Sequence, residues 1–168
     1  CRIRFFRKNN ANISEGRNIA INNSSNPCIC VSDAGCILDR DWFLKLTQNA
    51  RKGHDWITGG YSAAIYKGFV GSSLALCVIP LPHEIDEKRF MPSARNVCFL
   101  KDQWKSVGGY PEDMDYGEDM RFNFNLKKSG HTIKFEKNAI VYWRMMEKLI
   151  DIAKQFFRYA KGDGVGKM

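Results

Sequence analysis

Apolar and polar residues fall in short blocks along the chain, and the spacing within the blocks changes several times. Ile3 to Phe6 is an apolar run between basic residues, the length of one strand. Ser14 is placed to cap a helix that opens at Glu15 and buries Ile19 and Ala20. Cys28 to Val31 is continuously apolar and ends in Ser32 and Asp33, which is how a buried parallel strand ends. Asp39 or Asp41 then caps a helix running to about Ala50, with Trp42, Leu46 and Ala50 on one stripe. Trp56 to Tyr61 reads as a strand closed by a glycine break. Tyr66 to Leu81 reads as a helix and a loop, stopped by Pro80 and Pro82.

The second half centres on Pro92 to Asp119. Arg95 to Leu100 has strand character, a short helix surrounds Trp104, and Gly108 and Gly109 form a turn that Pro111 stiffens. Glu118 and Asp119 open the next element. From Met120 to Lys127 apolar and polar residues alternate, and periodicity alone makes this a strand. Met120 with Phe124 and Phe122 with Leu126 are also helical neighbours, so a helix is tenable. Thr132 to Phe135 and Ala139 to Trp143 read as two strands. Met145 to Ala160 reads as an amphipathic helix with Met145, Leu149, Ile152, Ala153, Phe156 and Ala160 on its apolar stripe and Gln155 and Arg158 on its polar side.

The 168 residues suffice for one domain with a real core, 1-168, and hardly for two. An apolar fraction of 44% with 26% charged residues is ordinary for a globular protein, so neither disorder nor a membrane bundle is indicated. No apolar run approaches the roughly 18 residues of a membrane span, and no signal-peptide pattern opens the chain. It begins with Cys1 and reads as a piece of something longer. The net charge of +8 suits phosphates or anionic surfaces. With no arginine-rich tract or recognition motif, nucleic acid is not an expected partner. Cys28, Cys30 and Cys36 lack the paired spacing of a zinc site, and reduced thiols in a cytoplasmic protein are the expectation.

Pro92 to Asp119, with its glycine turn followed by Gly117-Glu118-Asp119, resembles the acceptor loop and Glu-Asp motif of family 2 glycosyltransferases. The resemblance implies an α/β domain of the GT-A-like (nucleotide-diphospho-sugar transferase) kind, a mixed sheet flanked by helices, and makes 118 onward a helix with Gly130 just past its end. The implied activity is transfer of a sugar from a nucleotide-diphosphate donor to an acceptor hydroxyl with inversion, as in cell-surface polysaccharide synthesis. Asp119 is then the catalytic base and Glu118 orients it or a ligand, although adjacent acids also suit a helix start on structural grounds alone. The resemblance assigns Arg17, Asn18, Asp33, Gln155 and Arg158 to the donor, and Arg95, Trp104, Gly108 and Gly109 to the acceptor. Gln155 to Tyr159 is similar to the Gln-x-x-Arg-Trp segment of processive members.

Asp33 stands at the carboxyl end of a strand, where α/β sheets collect ligands. The resemblance makes it the ligand of a Mg²⁺ or Mn²⁺ ion, and a helix cap is the plainer alternative. The family's Asp-x-Asp is here Asp33-Ala34-Gly35, and Trp143 stands where many members have a metal-binding histidine. These departures leave a second reading open, a non-catalytic carbohydrate- or nucleotide-binding relative of the same fold. The family's first two strands have no counterpart in the chain. The expected object is therefore a single partial catalytic domain, itself catalytically poor, with a bared sheet edge that invites self-association into a homo-oligomer. Its expected partners are a nucleotide-sugar donor and a carbohydrate or lipid-linked acceptor. The expected location is cytoplasmic, with the terminal helix able to dock peripherally at the inner membrane face.

Overall fold

A computed structural model describes residues 3–166, leaving Cys1, Arg2, Lys167 and Met168 outside the described residues. Five strands, β1 (Cys28–Val31), β2 (Ile37–Leu38), β3 (Ile57–Ile65), β4 (Val97–Leu100) and β5 (Ile133–Arg144), form one mixed sheet in the order β1-β4-β3-β5-β2. β3 and β5 run parallel and the other pairs are antiparallel. The helices are α1 (Ile13–Asn22), α2 (Trp42–Leu46), α3 (Gln48–Arg51), α4 (Gly68–Val78), α5 (Lys101–Ser106), α6 (Glu118–Lys128) and α7 (Leu149–Gly166). Among the described residues no helix is long and apolar enough to cross a membrane.

Alternation along β4 sends its side chains into two cores. Val97 and Phe99 join Ile21 of α1, Phe122 and Leu126 of α6, and Tyr110 on one face. Cys98 points to the other, against Trp42 and Leu46 of α2 and Val141 of β5. Cys30 lies opposite Cys98, and with Cys28 the three sulfurs fall within 4.8 Å of one another. Spacing along the sequence gave no sign of that grouping, because its third member comes from a different strand. The sulfurs pack beside Trp42 and Leu46 as small apolar groups.

Several expected elements take a different form. Ile3 to Phe6 is not a strand, and Ile3 and Phe5 are exposed. Asn12, not Ser14, caps α1, through a capping box in which its side chain accepts from the Glu15 amide at 2.9 Å while Glu15 accepts from the Asn12 amide. β1 is antiparallel to its described partner and lies at an edge of the sheet, not in a buried parallel interior. The helix expected to run to Ala50 breaks at Thr47, whose hydroxyl donates to the Phe43 carbonyl at 2.7 Å. The two expected strands at 132–143 are one, β5. Its pairing with β3 jumps from Gly60↔Glu136 to Tyr61↔Ile140, so 137–139 loop out of register. The apolar stripe of α7 is largely exposed, Leu149 and Phe156 included, and Met145 is buried ahead of the helix.

The alternating segment after Asp119 is helical. Gly117 precedes it at φ 75°, acids occupy its first turn and Lys127 and Lys128 its last, which complements the helix dipole. Gly130 follows at φ 85°; its amide bonds the Lys127 carbonyl and that of His131 bonds Leu126, a Schellman ending.

Asn96 organises the middle of the sheet. It is fully buried, accepts from Trp42 Nε1 at 2.8 Å, and donates to the carbonyls of Tyr61 and Ala139 at 2.8 Å each. A Cβ on Gly60 would lie 2.4 Å from its amide oxygen and 2.2 Å from the Ala139 carbonyl oxygen, so glycine there permits the approach rather than ending the strand. Replacing Asn96 with alanine strands one donor and two acceptors in the interior at about 1–3 kcal/mol each. Asn96→Ala should therefore lower stability by about 3 kcal/mol or more in urea denaturation, and a loss under 1 kcal/mol (on the order of one exposed bond) would contradict this account.

Candidate functional site

One cavity of about 1080 Å³ is walled by the start of α1, the turn after β1, α4, the 93–95 segment, the start of α6, the end of β5 and α7. Each wall brings chemistry that the fold positions for a local reason. The α1 capping box fixes the first turn, and one turn on, Arg17 reaches inward. Its two terminal nitrogens are both spent. Nη2 lies 2.6 Å from Asp33 Oδ1 and Nη1 lies 2.5 Å from Glu118 Oε1. The Arg17 and Glu118 side chains are only 10% exposed and Asp33 is 33% exposed. Burial by itself would lower the guanidinium's pKa; Asp33 and then Glu118 outweigh it, and the net direction is up.

Asp119, the neighbour of Glu118, has no cationic partner among the described residues. Its oxygens accept from backbone amides, Ala94 at 3.2 Å and Met120 at 2.9 Å, and the half-buried carboxylate lines the cavity. Two adjacent acids thus serve different ends, Glu118 tied to α1 and Asp119 open to the cavity. Tyr159 of α7 stands opposite, its hydroxyl accepting from Gln155 at 2.8 Å. Burial raises its pKa; Arg95 opposes that, while Asp119, Glu118 and Asp33 add to it, so the phenol lies within electrostatic reach of all four.

Arg17, Asp33, Arg95, Glu118, Asp119, Gln155 and Arg158 all border this cavity. Asn18, Trp104, Gly108 and Gly109 do not; they build the turn behind it. Asn18 Oδ1 accepts from Trp104 Nε1 at 3.0 Å and from the Tyr110 amide at 2.9 Å. At φ 83°, Gly109 sits so close that a Cβ there would be 2.9 Å from that oxygen. Tyr110 is core, stacked on Phe122 at 4.2 Å between ring centroids, and its buried hydroxyl has no partner among the described residues. The sequence reading gave no role to the contact between Arg95 and Trp143, in which the guanidinium carbon lies 3.8 Å from the ring centroid. The two residues are far apart in the chain, and only the sheet brings them together. α7 is anchored at Gly162, where a Cβ would lie 2.5 Å from the Tyr116 carbonyl oxygen.

No family model matches the chain, and no curated protein matches it in sequence. Solved structures do match in shape. The crystal structure of GalNAc-T7 with UDP, GalNAc and Mn²⁺ aligns with a TM-score of 0.64 at 14% identity, over 84% of this chain and 32% of that one. The structure of S. aureus TarS 1-349 in complex with UDP-GlcNAc aligns with a TM-score of 0.62 at 12% identity, over 85% of this chain and 42% of that one. The chain thus spans less than half of either neighbour. The fold is that of the GT-A glycosyltransferases, a mixed sheet with helices on both faces.

The GalNAc-T7 structure contains Mn²⁺ together with UDP and GalNAc. At the Asp33 turn of this chain, Asp33 Oδ1 is already bound by Arg17, Gly35 offers no side chain, and Trp143 has no ligand atom. Arg95 and Asp33 both lie near enough to Cys36 to act on its thiol. A hard cation wants several oxygens; the turn itself offers the second oxygen of Asp33, and the other acids of the cavity, Asp115, Glu118, Asp119 and Asp151, come from other elements. The Asp33 turn by itself does not supply the oxygens that a resident divalent ion takes.

The buried Arg17 bridge should dominate local stability. Arg17→Met leaves Glu118 enclosed without its cation and should destabilise the protein by about 3–5 kcal/mol, read from chemical denaturation at neutral pH. A near-unchanged midpoint would show that Glu118 finds water or another partner.

Proposed function

We propose that the chain forms part of the catalytic domain of a glycosyltransferase that moves a sugar from a nucleotide-diphosphate donor to an acceptor hydroxyl with inversion. The observation that carries this reading is the division between the two acids. Glu118 is consumed by Arg17, whereas Asp119 faces the cavity without a cation, able to accept a proton. In the reaction Asp119 takes the hydroxyl proton of the acceptor as its oxygen bonds to the anomeric carbon. The bond from that carbon to the donor's phosphate oxygen breaks, and the electron pair leaves with the nucleoside diphosphate. Negative charge builds on that leaving group, and positive groups on the cavity wall lower its energy. Arg158 and Gln155, on the face of α7 toward the cavity, are suited to hold the phosphates. The UDP and UDP-GlcNAc held by the two structural neighbours support a nucleotide-sugar donor.

Asp119→Asn should cut transfer by roughly 10²–10⁴-fold, the usual contribution of a general base, with nucleotide affinity unchanged in calorimetric titration. Wild-type turnover in that variant excludes Asp119 from the role. Donor binding without turnover in the wild-type protein would favour a non-catalytic nucleotide- or carbohydrate-binding protein instead.

Arg158 is exposed, so its loss should fall on binding alone. Arg158→Ala is expected to weaken nucleoside-diphosphate affinity by roughly tenfold, about one charge-assisted hydrogen bond, with the melting temperature unmoved. Unaltered affinity would leave α7 as a docking helix only.

A further inference from the structure

We infer that Arg95, held over the Trp143 ring, is the receptor for the donor's diphosphate, and that this chain binds that group without a divalent ion. The inference rests on the nucleotide-diphosphate reading above and assigns Arg95 to the donor, not to the acceptor.

Arg17 and Arg95 line the same cavity, yet their hydrogen-bonding capacity is spent differently. Arg17 is saturated by two carboxylates. Arg95 has no carboxylate within salt-bridge distance among the described residues, and its guanidinium makes no hydrogen bond to them. What holds it is the Trp143 ring, 3.8 Å from its central carbon. A cation–π contact uses no N–H donor, so the donors stay available in the fork geometry that matches phosphate oxygens. The group is half-buried, so its charge is less screened than on an open surface. It is also oriented before any ligand arrives, since Trp143 is fixed in β5 opposite Ala64, and Arg95 directly precedes the buried Asn96.

A second open guanidinium supports this assignment. Arg158 lines the same cavity from α7, and it too has no carboxylate partner among the described residues. The lining as a whole carries no positive surplus, since Asp33, Asp115, Glu118, Asp119 and Asp151 accompany Arg17, Arg95, Lys154 and Arg158, so the diphosphate would be held by the unpaired guanidinium groups of Arg95 and Arg158 directly and not by the net charge of the cavity. Asp33 is kept from repelling the phosphates by Arg17.

The test is calorimetric titration of the full-length protein with UDP and with inorganic pyrophosphate, in buffer containing EDTA and in buffer containing Mg²⁺ or Mn²⁺. The expected result is binding of both ligands in EDTA, not improved more than a few-fold by metal. Arg95→Met, which keeps the apolar stem on Trp143, should weaken both by about tenfold to a hundredfold, the range of charge-assisted hydrogen bonds. Arg95→Lys should fall between, since it keeps the charge and loses the fork. Thermal melting of each variant separates lost phosphate contacts from lost folding. If Arg95→Met melts like wild type and binds pyrophosphate equally well, the assignment is overturned. It is equally overturned if EDTA abolishes UDP binding and metal restores it, although the nucleotide reading then stands. If neither ligand binds in any buffer, the nucleotide reading itself fails and takes this inference with it.

Discussion

The amide of one buried asparagine ties together four elements that the chain does not connect locally. Asn96 reaches α2 through Trp42, β3 through Tyr61 and β5 through Ala139, from the segment that leads into β4. A fully buried amide must find partners for its donors and its acceptor, because each one left unpaired costs as much as several methylenes contribute. No neighbouring arrangement of the sheet offers the same three partners, so the amide selects a single register. Gly60 is the complement to this choice, since any side chain there would collide with the Asn96 amide. The site depends on that register, because Trp143 and the 93–95 segment reach the cavity only when β5 and β4 are set as they are.

Around the cavity the structure accepts a cost in stability. Burying one guanidinium with two carboxylates removes three charges from water, and mutual attraction returns only part of the desolvation energy. In exchange the first turn of α6 is fixed against α1, and Asp119 is set in place by two backbone amides. Glu118 is thus an anchor whose immobility defines where its neighbour points. The turn from Gly108 to Tyr110 serves the same end from behind, locked through Asn18.

The parts of this architecture visible in the sequence are those governed by local chemistry. For α6 local periodicity is not enough: alternation from Met120 to Lys127 favours a strand, i,i+4 pairs leave a helix tenable, and the family resemblance is what tips the reading to the helix observed. That alternation misleads because Phe122 and Leu126 face the core while Phe124 is left at the surface, so a helix four residues to the turn carries the same letters. The apolar run of β1 signals a strand but not its direction, which its partner β4 decides from far along the chain. The candidate site divides in the same way. Asp33 could be picked out by its place at a strand end, and Arg95, Asp119 and Arg158 through the family resemblance, and they meet in one cavity. That Arg17 would be saturated and Arg95 left open could not be read, because each outcome is set by residues more than forty positions away or on another element.

The excursion at 137–139 in β5 has a consequence for how the chain can change length. Ile133, before it, faces the core of α6, whereas Val141, an even number of residues later, faces the opposite core with Trp42. A regular strand would put both on the same side. Three extra residues in the excursion exchange the two faces, and Trp143 follows Val141. Because 137–139 lie outside the ladder, their number is not set by the pleat: while Gly60↔Glu136 and Tyr61↔Ile140 hold on either side, Trp143 stays on its face beside Arg95. Lys137 and Asn138 are exposed and can take up such changes, whereas Ala139 is buried and accepts from Asn96, so the tolerance for length ends one residue short of the ladder.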